Sequence, residues 1–201
     1  TSSGCDWSSD VCSSDLIYRQ TECLKPISLF KVNNPIKKLF IGIQWMSLKR
    51  GLGATNHFEA GGFIRSSPGV KHPDIQHHFL PLAVNYDGTS PKLCHGYQVH
   101  VGPMRPTSRG YIQLRSNNPM EGPKITFNYM KTDQDKNEMR EGIRLTREIL
   151  AQPSFKSFAG KELSPGEGVQ NDAEIDAFVR KNGEALITQL VPVEWEMTSN
   201  L

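Results

Sequence analysis

The residue types able to do chemistry gather in two short stretches, residues 56–65 and 73–81. The first holds His57, Phe58 and Glu59, and the second His77 and His78. An imidazole holds or passes a proton near neutrality and a carboxylate pairs with a cation, so acid–base work and cation binding are the chemistries to weigh. Both stretches are bounded by turn residues and read as strands. Neighbours in a strand point to opposite faces, so His77 and His78 do not share one ligand site. Taken alone, either histidine reads first as a side chain satisfied by a hydrogen bond at a sheet edge, and Glu59 as a solvated charge.

Other chemistry finds little support. Cys5, Cys12, Cys23 and Cys94 show no CxxC spacing, so they read as free thiols and neither a metal nor a redox centre is expected. Gly51-Leu52-Gly53 lacks the third glycine and the preceding buried strand of a dinucleotide loop, and reads as a flexible turn. A net charge of +2 with scattered Lys and Arg gives no basic stripe, so no nucleic-acid partner is expected. The longest apolar run, Leu39-Phe40-Ile41-Gly42-Ile43, is far short of the roughly 20 residues that span a bilayer. No basic segment followed by an apolar one marks a secretory signal.

The elements that must position these residues follow from periodicity. At 201 residues the chain is long enough for one domain, and its 37% apolar share falls short mainly at the ends. Residues 97–101 and 111–115 alternate apolar and polar side chains. Between them lies a turn-rich segment with Pro103, Pro106, Ser108, Arg109 and Gly110, which predicts an antiparallel pair. Residues 124–129 extend it to a meander. Arg105 and Arg109 either brace that turn or approach an anion.

Asn34-Pro35 opens a helix whose Ile36, Leu39, Phe40, Ile43 and Met46 are expected to rest on the sheet. Thr132-Asp133-Gln134-Asp135 resembles a capping box for a helix running to about Ala151. Its inward stripe is Met139, Gly142, Ile143, Leu145, Thr146, Ile149 and Leu150. After a loop over residues 160–166, a second capped helix starts at Asn171 or Asp172 and turns Ile175, Phe178 and Val179 inward. Residues 1–16 are Ser- and Asp-rich and expected to be disordered; residues 5–16 resemble the translation of a sequencing-library adapter.

Several motifs occur together: GGFIRS (61–66), HPDIQHHFLP (72–81), YQVHVGPMRPTSRG (97–110), LRSNNP (114–119), LTREILAQP (145–153) and KELSPG (161–166). In this order they resemble the C-terminal half of the glucose-methanol-choline (GMC) oxidoreductases, and within that family its choline-oxidising members. The likeness covers residues 17–183. It implies an α+β fold, the family's substrate-binding domain, with a mixed or antiparallel sheet of about six strands and helices packed on one side. It implies FAD as cofactor, held by a Rossmann domain that this sequence lacks, and oxidation of choline to betaine aldehyde by hydride transfer to that flavin.

By the same likeness Glu59 matches the family's cation-binding glutamate and His78 the histidine that helps position the alcohol oxygen. Phe58 and Phe63 would add apolar walls, with core packing as their other reading. Cofactor-binding residues are not assigned. The family's catalytic His-Pro follows the second helix. Here residues 184–201 read as a frame-shifted tail, with Ile187-Thr188 and Val191-Pro192-Val193-Glu194-Trp195 standing in its place. The chain alone is therefore expected to be inactive, and its alternative role is a non-catalytic choline-binding or protein-interaction module. The implied partner is the small molecule choline. The likeness leans to an enzyme of the mitochondrial inner membrane, with a bacterial, cytoplasmic or membrane-associated enzyme as the alternative, and leaves the oligomeric state open.

Overall fold

Alternating apolar and polar runs build two separate antiparallel sheets in the computed structural model, which describes residues 8–12, 15–32, 34–58, 60–84 and 94–185. In chain order the elements are β1 (Ser8–Cys12), β2 (Asp15–Cys23), α1 (Pro35–Leu48), β3 (Ala60–Ile64), β4 (Ile75–Leu80) and β5 (Gly96–Pro103). They continue with β6 (Arg109–Gln113), β7 (Lys124–Thr126), α2 (Asp133–Leu150), β8 (Ala159–Ser164), α3 (Asp172–Asn182) and β9 (Glu184–Ala185). The larger sheet has the order β3-β4-β5-β2-β8, with β9 pairing to the start of β2, and so counts six strands. The smaller sheet is β1-β6-β7.

One face of the larger sheet is apolar and carries α2 and α3. Ile17, Ile75 and Val101 from the strands meet Met139 and Ile143 of α2 and Ile175 and Val179 of α3. A second cluster joins Cys23, Tyr97, Val99 and Leu150, flanked by Phe79, Phe155 and Phe158. Gly142 sets how closely α2 lies on β5, since a Cβ there would stand 2.9 Å from Val101 Cγ2. Both helices start at side-chain caps. Thr132 accepts from the Asp135 N–H, and Asn171 and Glu174 form a reciprocal capping box. Ile149 departs from the expected inward stripe and is 41% exposed.

Four expectations need correction. The strands flanking residues 104–108 do not pair with each other. The Thr107 and Ser108 N–H groups donate to the buried Asp135 carboxylate of α2 at 2.7 and 2.9 Å, and this turns the chain out of the larger sheet. β6 therefore pairs with β1 and β7. The segment expected as a loop at 160–166 is instead largely β8, added to β2 with register shifts. Helix α1 forms where Asn34 and Pro35 predict it, but none of its residues is buried. Ile36, Leu39, Phe40 and Met46 are 64%, 64%, 66% and 71% exposed, so the helix does not rest on the sheet. Lastly, residues 8–12 and 15–16 are not without structure. A backbone ladder accepts almost any side chains, and Ser8–Cys12 adds an edge strand to β6. The tail over 186–201 lies outside the described residues.

Candidate functional site

Strand register assembles the site. On the sheet face turned away from α2 and α3, His100 pairs directly with His78 on one side and with Tyr18 on the other, so the three stand in one row. The next row is Leu80, Gln98 and Gln20. The preceding one is Phe63, Gln76 and Gly102. Directly opposed side chains have Cβ atoms about 5 Å apart, close enough for each row to act as a unit.

Phe58, just before β3, closes over the first row. Its ring lies edge-to-face with His100 at 5.3 Å and with His78 at 6.4 Å, while Tyr18 packs tilted on His100 at 5.8 Å. His100 is left 8% exposed. Burial, with His78 nearby, lowers its pKa to about 4, so the ring is neutral at pH 7. Beside it Gln98 and Gln20 are fully buried. Gln98 Nε2 stands 2.8 Å from His100 Nε2. Gln20 Nε2 lies 3.1 Å from Gln98 Oε1 and 2.6 Å from the Val84 carbonyl oxygen, and the Val84 N–H donates to Gln98 Oε1 at 3.0 Å. Phe58 is the most open member of the group, and His78 and Tyr18 are half-buried.

His77 points the other way, as the strand alternation predicts. Its Nε2 is 3.1 Å from Thr146 Oγ1, whose single proton goes to the Gly142 carbonyl at 2.6 Å, so the hydroxyl accepts from His77 Nε2–H. Burial, then the charge of His78, lowers its pKa to about 4. His77 is thus a core histidine bonded at Nε2, its buried Nδ1 without a partner among the described residues, on the wall of an apolar cavity of about 400 Å³ with Phe79, Val99 and Leu150. Among the other candidates, Phe63 occupies the same face as His78 one row along and is 60% exposed. Glu59 lies outside the described residues; its neighbour Phe58 touches both histidines. Arg109 braces its own turn, donating to the Pro106 and Ser108 carbonyls. Arg105 lines a polar cavity of about 460 Å³ with Asp74 and Glu138.

Sequence reasoning singled out Phe58 and His78 but missed His100, Gln98, Gln20 and Tyr18. The alternation of residues 97–101 does place Gln98 and His100 on one face, yet nothing local announces that Tyr18 and His78 flank them.

The arrangement suits an oxygen-bearing ligand, with imidazoles to hydrogen-bond it and aromatic walls beside them. The turn at Gly51–Gly53 is not a dinucleotide loop. Gly51, at φ 82°, leads only into the short 3₁₀ turn Leu52–Ala54, and no helix N-terminus follows to receive a pyrophosphate. Among the described residues no group of three His, Cys, Asp or Glu could hold a metal ion, and Cys23 and Cys94 are free thiols.

Comparison with known proteins agrees with this picture. Residues 106–190 match the family described as GMC oxidoreductase. An oxygen-dependent choline dehydrogenase of Stenotrophomonas maltophilia is 51% identical over 168 residues, covering 84% of this chain and 30% of that protein. Its counterpart in Brucella ovis is 50% identical over 169 residues, covering 84% and 31%. The chain thus spans about a third of the length of these relatives. In structure it is similar to a formate oxidase from Aspergillus oryzae studied for its FAD modification, with a TM-score of 0.76 at 18% identity, covering 86% of this chain and 35% of that one. The two choline dehydrogenases are bacterial, which overturns the mitochondrial inner-membrane assignment. Among the described residues no helix is long and apolar enough to cross a membrane.

Proposed function

The chain carries the C-terminal domain of the GMC oxidoreductases, and from that premise we propose that it is the substrate-binding part of an FAD-dependent choline dehydrogenase that converts choline to betaine aldehyde. The observation that carries this reading is the row of His78, His100 and Tyr18 under Phe58, on the sheet face left free of α2 and α3. Oxidation removes the hydroxyl proton of the alcohol and a hydride from the same carbon; when bound, FAD supplies the hydride acceptor.

The work of this domain is binding and orientation. His78 positions the alcohol oxygen. A quaternary ammonium has no N–H to donate, so it is recognised by charge and by aromatic surface. Glu59 supplies the charge and Phe58 and Phe63 the apolar walls, excluding water from the reacting end. Residues 17–183 form this unit, and residues 184–201 are read as frame-shifted text. Sequencing the gene there is expected to restore a His-Pro pair near Ala185 by one base, and a confirmed tail would refute that part.

The test uses the full-length protein and two alcohols of one shape, choline and 3,3-dimethylbutan-1-ol, in which carbon replaces the ammonium nitrogen. Choline is expected to have a kcat/KM at least about tenfold higher, equivalent to about 1.4 kcal/mol. Glu59→Gln should erase that preference while sparing the neutral alcohol. Equal kcat/KM values for the two alcohols in the unmodified enzyme would overturn the proposal.

A further inference from the structure

Helix α1 closes both of its ends with its own residues. Asn34 Oδ1 accepts from the Ile36 N–H at 2.9 Å, Pro35 fills the first turn, and the Lys49 N–H returns to the Trp45 carbonyl at 2.9 Å. Half-buried Ile41 marks its inner side, where it lines an apolar cavity of about 350 Å³ with Leu29 and Leu52. On the outer side Ile36, Leu39, Phe40, Ile43 and Met46 recur at steps of three and four residues, which puts them on one arc of about 120°. All five are 51–71% exposed. A single exposed apolar side chain is ordinary, but a contiguous stripe of five marks a contact surface.

The charges beside the stripe say what covers it. Lys37 and Lys38 lie on its two flanks, Lys31 precedes it and Lys49 and Arg50 follow it, all of them exposed, and no Asp or Glu occurs between Leu24 and Phe58. We propose that the outer face of α1 docks the protein on an anionic lipid surface, with the apolar stripe at the boundary of the acyl chains and the basic residues among the phosphate headgroups. The helix has 14 residues and is about 21 Å long, short of the hydrocarbon core of about 30 Å, so it lies along the membrane and does not cross it. A second copy of this face would bring the same lysines against these, so charge favours anionic lipid over self-pairing. The proposal stands apart from the choline reading, since none of these residues belongs to the row of His78, His100 and Tyr18.

The experiment is co-sedimentation of the full-length protein, with the 201-residue chain beside it, on vesicles of phosphatidylcholine alone or mixed with phosphatidylglycerol, at about 0.1 M salt. Both proteins are expected to bind the anionic vesicles at least about tenfold more strongly than the neutral ones. Lys37→Glu with Lys38→Glu should weaken that binding at least about tenfold, and Phe40→Gln with Met46→Gln should weaken it comparably, with choline turnover in vesicle-free buffer unchanged. Arg115→Glu with Lys124→Glu makes the same charge change at exposed positions of the smaller sheet and its connection, and should alter binding by no more than about threefold. Equal binding of the unmodified protein to both kinds of vesicle would overturn the proposal without any variant having to fold. So would an equal loss in the two charge-reversed variants. Binding by the 201-residue chain with none by the full-length protein assigns the face to a contact inside the longer protein, and overturns the proposal as well.

Discussion

Replacing Glu162 by Gln should destabilise the domain more than any surface change. Glu162, on β8, receives Arg19 from β2, with Nη2 at 2.9 Å and Nε at 3.0 Å from Oε2, and Arg147 from α2, with Nη2 at 2.9 Å from Oε1. The three side chains are 11–19% exposed, so one carboxylate joins two strands and a helix with little water present. Glu162→Gln keeps the shape but leaves two guanidinium groups facing a neutral amide whose NH₂ end opposes other donors. Removing one partner of a buried ion pair costs about 3–5 kcal/mol. In a chain of this size each kcal/mol shifts Tm by about 2–4 °C, so thermal unfolding followed by circular dichroism should show a drop of about 6–20 °C at pH 7. The exposed pair Asp133–Lys136 is the control, and Asp133→Asn should leave Tm unchanged.

The pH dependence has a fixed sign. Burial opposes ionisation of Glu162, but Arg147 and Arg19 outweigh it and hold the carboxyl below its usual range. Its stabilisation is therefore complete above the unfolded value of about 4.3 and is lost as pH falls through the lower folded value. The Tm gap between the unmodified chain and Glu162→Gln should stay constant from pH 8 to pH 5 and close below pH 4. A gap of under 2 °C at pH 7, or one that widens on acidification, would refute the reasoning.

Three more outcomes are expected. His77 and His100 titrate near 4 in the folded chain and near 6.5 when unfolded, so stability should fall as pH drops from 6.5 towards 4, by up to about 1.4 kcal/mol per pH unit for each group. Guanidinium titrations at pH 5 and 7 check this, and His77→Gln should roughly halve the dependence. Gly142→Val places a Cβ 2.9 Å from Val101 Cγ2 and should cost about 1–3 kcal/mol, whereas Gly122→Ala, with nothing within 4 Å, should be nearly neutral in the same titration. On α1, Phe40→Lys with Met46→Lys should leave Tm of the chain unchanged and reduce self-association in size-exclusion chromatography; a marked fall in Tm would mean that the helix does pack on the sheet.

What the sequence told and what it withheld divide along a physical line. Features decided within a few residues were legible. The caps at Thr132 and Asn171 and the 3.6-residue period behind them mark α2 and α3, and the turn residues that bound residues 56–65 and 73–81 mark β3 and β4. Features decided by a distant partner were not. Residues 104–108 look like a hairpin turn until Asp135, 27 residues away from Ser108, takes the N–H groups that a hairpin would use. Residues 159–164 look like a loop, being rich in small residues, and become a strand because Glu162 finds two arginines. The candidate site belongs to the second kind. Tyr18, His78 and His100 each look ordinary in their own strands, and only the order β4-β5-β2 puts them side by side. Helix α1 shows the limit of periodicity from the other direction. Its apolar residues predicted burial, and the strands and helices described here leave all of them unburied, because an apolar pattern records that a surface is meant to be covered but not by what.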